Sequence, residues 1–194
     1  MEYSLLKFFH ILGAVLIGSG LIGVWMADLR ARQLHELKPF SKAVRNIAAV
    51  SCDGLVVSGA LLLLTSGTWM IVTFYGGWNF LQFPWLAGMV GLFVFEFIEG
   101  NTITHLYFVR LRRLTRSALD AGHVTPELQH ARSELVPTFT HFLDLPMLFL
   151  IIALGTTQPT TWTLFLAGLF ASISLATLLT LVIPRLYPWG SEAK

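Results

Sequence analysis

Charged residues are scarce in this sequence, and cysteine is almost absent. Asp, Glu, Lys and Arg make up 12% of the 194 residues, which is about half the share found in a typical soluble domain. The single cysteine, Cys52, excludes an intramolecular disulfide and a multi-cysteine metal cluster. Hydrophobic residues instead make up 55% of the chain, and its mean hydropathy is +0.68. Water is therefore not the main solvent of this protein.

Apolar residues are concentrated in five blocks, each near or above the roughly 20 residues that cross a bilayer as a helix. The blocks lack the period-two alternation of a spanning strand, and helices satisfy every backbone polar group within lipid. The first block is too long for a signal peptide, so we expect it to be retained. The sequence predicts an all-α, polytopic membrane protein with one bundle of five transmembrane helices. The predicted helices cover residues 4–27, 47–74, 83–109, 139–155 and 162–183.

Basic residues are distributed unevenly among the connections between these blocks. All but Lys7 of the 13 Lys and Arg residues lie in the first connection, the third connection or the C-terminal tail. Because cytoplasmic loops collect positive charge, this predicts an external N-terminus and a cytoplasmic C-terminus, and it indicates a bacterial inner membrane. The same topology accounts for the basic loops, so we expect no nucleic-acid partner.

Two local patterns predict further structure. The stretch Val124-Thr-Pro-Glu is typical of a capped helix start, and it predicts a short cytoplasmic helix over residues 126–133. Glycines recur in the first two blocks, among them Gly13 and Gly59, and they predict close helix packing.

Ionisable residues inside the spans are the candidates for function, because each is costly in lipid and tends to face the bundle interior. At about 1.5 Å of rise per residue, Glu96 and Glu99 lie near the membrane midplane, and we expect Glu99 to face the interior. His10 lies about 9 Å from the outer end of the first helix. The remaining candidates lie within about 10 Å of the cytoplasmic helix ends. They are Asp53, His105, His141 and Asp144.

These depths limit the cofactor chemistry. A b-type haem held by two histidines needs both imidazoles at a similar depth on facing helices, and only His105 and His141 meet that condition. His141 and Asp144 are three residues apart on one helix and share a face. A carboxyl group near mid-membrane is protonated, is paired with another group or binds a cation. A divalent metal or proton site is therefore the alternative, and its candidate residues are Asp53, Glu96, Glu99, His141 and Asp144.

A family resemblance is carried by the first block. Its residues are Leu6-Lys7-Phe8-Phe9-His10-Ile11-Leu12-Gly13-Ala14-Val15, followed by Gly20-Leu21. This pattern resembles the first helix of the domain of unknown function 2269 family of predicted integral membrane proteins. It is also similar to the first helix of HemJ-type protoporphyrinogen oxidases and, more weakly, of CopD-type copper-resistance membrane proteins.

The resemblance implies a haem site at His10, because the matching histidine of the HemJ-type enzymes is associated with haem binding. No other histidine of the chain lies at that depth, so such a haem would be five-coordinate, take another sixth ligand or be shared across a homodimer. The chain departs from the HemJ-type pattern in its third helix, where Ala87 stands in place of a histidine just after the opening tryptophan.

Three functions remain open at this point. The first is a redox protein that binds haem b and exchanges electrons with a quinone, with His10 or the pair His105 and His141 as ligands. The second is a small transporter or a metal-dependent membrane enzyme that uses the carboxylates. The third is a structural subunit of a membrane complex. The residues leave open whether the protein is an enzyme.

Overall fold

Helices form almost all of the structure, a computed structural model that describes residues 2–34 and 36–188. The side chains of residues 48–53 lie outside the described part. A 3-10 turn covers Gly77–Gln82, and a π-helical turn covers Gly100–Thr104. The eight α-helices within the described ranges are α1 Glu2–Arg32, α2 Leu37–Asp53, α3 Leu55–Phe74, α4 Pro84–Glu99, α5 His105–Ala121, α6 Pro126–Arg132, α7 Leu135–Thr157 and α8 Thr163–Leu186.

Five segments of the described chain are long and apolar enough to cross a membrane, as the sequence predicts. They contain α1, α3, the continuous helix formed by α4 and α5, α7, and α8. The prediction of an all-α multi-pass membrane protein is therefore confirmed. The orientation of the two termini stays a prediction.

The polar connections are more helical than their composition indicated. Helix α1 continues to Arg32, and α2 begins at Leu37, so little of the first connection is irregular. The chain breaks at Gly54, which separates α2 from the 20-residue span α3. The cause of the extra helix is amphipathicity, since α2 buries Phe40, Val44 and Ile47 on one face.

That buried face of α2 packs against other helix segments at one end of the bundle. We call this unit the helical cap; it consists of the last turns of α1 together with α2, α5 and α6. Its core contains Val24, Ala31, Phe40, Val44, Ile47, Tyr107, Phe108, Leu111, Ala118, Leu128 and Ala131. The cap lies at the end that carries the basic connections, which is the predicted cytoplasmic end.

Helix α7 is the centre of the membrane bundle. In the most apolar stretch of 18 residues within the span that contains α7, 67% of the residues are buried, compared with 11–22% in the other four spans. One side of α7 packs with α4 and α8 around Phe142, Met147 and Leu150. Another side packs with α1 and α3 through Leu145 and Leu148. Polar residues on α7 are therefore shielded from lipid by the other spans.

Helices α1 and α3 approach each other closely at a pair of glycines. A Cβ atom added to Gly59 would lie 2.7 Å from the carbonyl oxygen of Gly13 and 2.8 Å from the backbone nitrogen of Ile17. No side chain can replace the hydrogen there without separating the helices. The predicted close packing of Gly13 and Gly59 is confirmed.

Candidate functional site

Three carboxyl groups meet in the interior of the bundle. Glu96 and Glu99 project from α4, and Asp144 projects from the central helix α7. The side chain of Asp144 lies close enough to both glutamates for the three carboxyl groups to interact electrostatically. Glu99 is 5% exposed and Asp144 is 7% exposed, so the prediction that Glu99 faces the interior is confirmed. We call these three residues the carboxyl cluster.

The π-helical turn Gly100–Thr104 fixes one member of the cluster. A π-helix closes its hydrogen bonds over five residues, and it therefore places residues five apart above one another. Thr104 is the fifth residue after Glu99, and its hydroxyl donates a 2.8 Å hydrogen bond to Oε1 of Glu99. Oγ1 of Thr104 also lies 3.4 Å from Oγ1 of Thr140 on α7. The turn thus orients Glu99 and connects it to the central helix.

Two carboxyl oxygens of the cluster have no hydrogen-bond partner among the described residues. Oε1 of Glu96 and Oε2 of Glu99 are buried and meet no hydrogen-bond donor among the described residues. An ionised carboxylate only accepts hydrogen bonds. Two carboxyl groups can therefore form a hydrogen bond with each other only if one of them carries a proton. Three ionised carboxyl groups side by side in lipid would also repel one another strongly. The cluster therefore needs a proton or a cation.

The predicted metal ligands do not all converge. In the parts of the chain that the structure describes, no group of three His, Cys, Asp or Glu side chains is arranged to hold a metal ion. Within the carboxyl cluster, Asp144 interacts with both glutamates, and Glu96 also interacts with Glu99. The side chain of Asp53 lies outside the described residues, so its role as a ligand stays a prediction.

His141 belongs to a second polar cluster, nearer the helical cap. Its Nε2 lies 3.8 Å from Oδ2 of Asp28, which accepts a 2.8 Å hydrogen bond from Nε of Arg32. Trp25 donates from Nε1 to the carbonyl oxygen of His141 at 3.0 Å. The imidazole lies among aromatic rings, and His141, Asp28 and Arg32 are all less than 5% exposed.

Sequence reasoning missed Asp28 and Arg32, because both were assigned to a polar connection. Their spacing of four residues is the signal that indicates a helix with an internal ion pair. The pair is buried because α1 continues beyond the membrane span into the helical cap. Oppositely charged residues with helical spacing beside a span therefore mark an extension of the helix.

His10 faces α3, on the side of α1 that also carries Gly13 and Ile17. Its Nδ1 lies 3.2 Å from Oγ of Ser66. The hydroxyl of Ser66 also donates to the carbonyl oxygen of Leu62. His10 is half-buried, and its ring covers Gly67. A helix-to-helix hydrogen bond is thus its observed interaction.

The proposed haem pair of His105 and His141 is positioned unequally. His105 begins α5 directly after the π-helical turn and is half-buried, whereas His141 is fully enclosed. The rings that surround His141 in the described structure are those of Trp25, Phe108 and Phe142. Haem ligation by either histidine, or by His10, stays a prediction.

Comparison with known proteins identifies a family for this chain but no individual relative. No curated protein and no solved structure matches the chain. A family model described as "Predicted integral membrane protein (DUF2269)" matches residues 4–159, a range that includes the carboxyl cluster and the second polar cluster and ends before α8. The chain therefore belongs to this family of integral membrane proteins, in agreement with the resemblance of its first helix.

Proposed function

We propose that this membrane protein binds and releases protons at the carboxyl cluster, as the core of a small proton-coupled transporter. The observation that carries the proposal is the contact of Asp144 with both Glu96 and Glu99 inside the bundle. Intramembrane carboxyl groups of this kind mark proton relays and ion pathways in membrane proteins.

The depth of the cluster supports this function. Glu96 lies about 18 Å along the helix from Pro84, and Glu99 about 22 Å, at 1.5 Å per residue. Asp144 lies about 14 Å from Leu135, the opposite end of the bundle. These positions fall within the roughly 30 Å of hydrocarbon, where water cannot solvate an ionised carboxylate. A proton shared among the three groups removes that cost and can be released when the site opens to water.

The arrangement favours a proton over a divalent metal. A metal site needs about three or four donors that converge on one point. Here one oxygen of Glu99 is already engaged by Thr104, and the nearest predicted nitrogen ligand, His141, makes its polar contact with Asp28 instead. Carboxyl groups that lie side by side can instead hold one proton between two of their oxygens.

Infrared spectroscopy of the purified protein in lipid tests the proposal directly. A protonated carboxyl group has a carbonyl stretch distinct from that of a carboxylate, and this band shifts in heavy water. We expect the band at neutral pH, with a loss of intensity in Glu99→Gln and Asp144→Asn. Glu127→Gln removes an exposed carboxyl group of α6 and is the matched control, which should leave the band unchanged.

Two results would contradict the proton site. The absence of a protonated carboxyl band together with a stoichiometric divalent metal that Glu99→Gln abolishes would establish the metal alternative. A Soret band with split α and β bands in the same preparation, lost in a histidine variant, would establish haem binding instead.

A further inference from the structure

A groove of about 490 Å³ lies on the helical cap, between the end of α1 and helix α2. Its polar lining consists of Arg30 and Gln33 from the α1 side and Lys42 and Asn46 from α2. Leu34, Pro39 and Ala43 complete the lining with apolar surface. The groove therefore combines two cations and two amides with a small apolar wall.

The charge of this groove is not compensated locally. No acidic residue lines it, and neither Arg30 nor Lys42 forms an ion pair within the described chain. A second groove, between α5 and α6, provides a contrast. It contains Arg110 and Arg113 but also two glutamates, and Arg110 is paired with Glu134. Of these two grooves in the described part of the chain, only the one between α1 and α2 has basic side chains with no acidic residue in its lining.

The depth of the groove matches the headgroup layer of a bilayer. Arg30 lies three residues beyond the predicted end of the first span at residue 27, which is about 4.5 Å along a helix. The polar layer on each side of the hydrocarbon core is roughly 5–8 Å thick. Lys42 and Asn46 are one turn apart on α2, and both side chains are exposed.

We propose that this groove binds the headgroup phosphate of an anionic glycerophospholipid from the adjacent leaflet. The guanidinium of Arg30 can donate two parallel hydrogen bonds to phosphate, and Lys42 adds a second charge. The amides of Gln33 and Asn46 supply donors and acceptors for the headgroup hydroxyls, and Leu34 and Ala43 offer apolar surface to the glycerol end of the lipid. Basic pockets beside membrane helices recognise anionic lipids in this way. This site is independent of the carboxyl cluster and of its function.

Native mass spectrometry of the full chain in neutral detergent tests the proposal, with single phosphatidylglycerol or phosphatidylcholine molecules as probes. We expect a discrete one-to-one adduct with phosphatidylglycerol that binds at least tenfold more tightly than phosphatidylcholine. R30A/K42A should weaken the phosphatidylglycerol adduct at least tenfold, because each charged hydrogen bond that is lost is worth about that factor. R30K/K42R keeps both charges and should bind phosphatidylglycerol more tightly than R30A/K42A.

The matched control is R112A/R116A, which removes the same charge from exposed positions of α5. It should change the affinity by less than about threefold, since neither residue lines the groove. An equal loss in both double variants would mean diffuse attraction and would overturn the site. Competition by millimolar inorganic phosphate or glycerol 3-phosphate would also overturn it, by making a soluble phosphate the ligand. The single variants R30Q and K42Q decide the question if R30A/K42A does not fold.

Discussion

The contact between Gly13 and Gly59 allows a quantitative prediction, because it sets the distance between α1 and α3. In Gly59→Ala the added methyl group would lie 2.7 Å from the Gly13 carbonyl oxygen and 2.8 Å from the Ile17 nitrogen. Ordinary contacts of this kind need about 3.4 Å or more, and both atoms belong to the backbone, so the whole helix must shift. Overpacking of this sort costs about 1–3 kcal/mol.

Helix propensity acts in the opposite direction and must be subtracted. Alanine is favoured over glycine by about 1 kcal/mol inside a helix. Gly23→Ala is the matched control, because Gly23 lies inside α1, the other helix of this contact, and a Cβ atom there meets nothing within 4 Å. We expect Gly23→Ala to stabilise the protein slightly and Gly59→Ala to be less stable than that control by about 1–3 kcal/mol.

The measurement is the free energy of unfolding in mixed micelles, obtained by titrating a denaturing detergent and following helical circular dichroism. The two alanine variants share the same change in propensity, so their difference isolates the packing of α1 against α3. Equal stabilities for Gly59→Ala and Gly23→Ala would refute the close approach of the two helices. That result would also contradict the hydrogen bond between His10 and Ser66, because it joins the same two helices.

The remaining predictions concern the second polar cluster, the first helix and the topology. Asp28→Asn should lower the free energy of unfolding by about 3–5 kcal/mol, because it removes the carboxylate of a buried ion pair. Arg110→Ala removes a partly exposed pair and should cost less than about 1 kcal/mol. Similar losses in both variants would contradict the burial of the first pair. If His10 binds haem, His10→Ala should reduce the pigment content of the purified protein, and an unchanged absorption spectrum would count against the role that the family resemblance implies. A reporter fused after Lys194 should be active only in the cytoplasm, and periplasmic activity of that fusion would disprove the five-helix topology.

Much of the membrane fold could be predicted from the sequence, because hydropathy acts locally. A run of about 20 apolar residues must form a helix in lipid, whatever its neighbours are. The inward orientation of Glu99 follows from the same physics, since a carboxyl group that faces hydrocarbon is unsatisfied. The resemblance to the domain of unknown function 2269 family also rested on one local stretch around His10, and the match over residues 4–159 confirms that family.

Only the tertiary structure determined which helices pack against each other. Apolar spans without charge carry little information about which helices are neighbours, and helix contacts in lipid depend on the fit of backbones and small side chains. Helical spacing places His141 and Asp144 on one face of α7, yet their side chains enter different polar clusters. The packing of α1 brings Asp28 to His141, and the packing of α4 brings both glutamates to Asp144.

The π-helical turn is the clearest feature that the sequence did not determine. Residues 100–104 contain no signal that separates a π-turn from an ordinary helix, since the local pattern is compatible with both. Contacts with the surrounding structure stabilise the turn. Here the hydroxyl of Thr104 contacts Glu99 and also Thr140 of the neighbouring helix. Local free energies thus determined where the chain crosses the membrane, whereas contacts between distant segments determined which polar groups meet inside it.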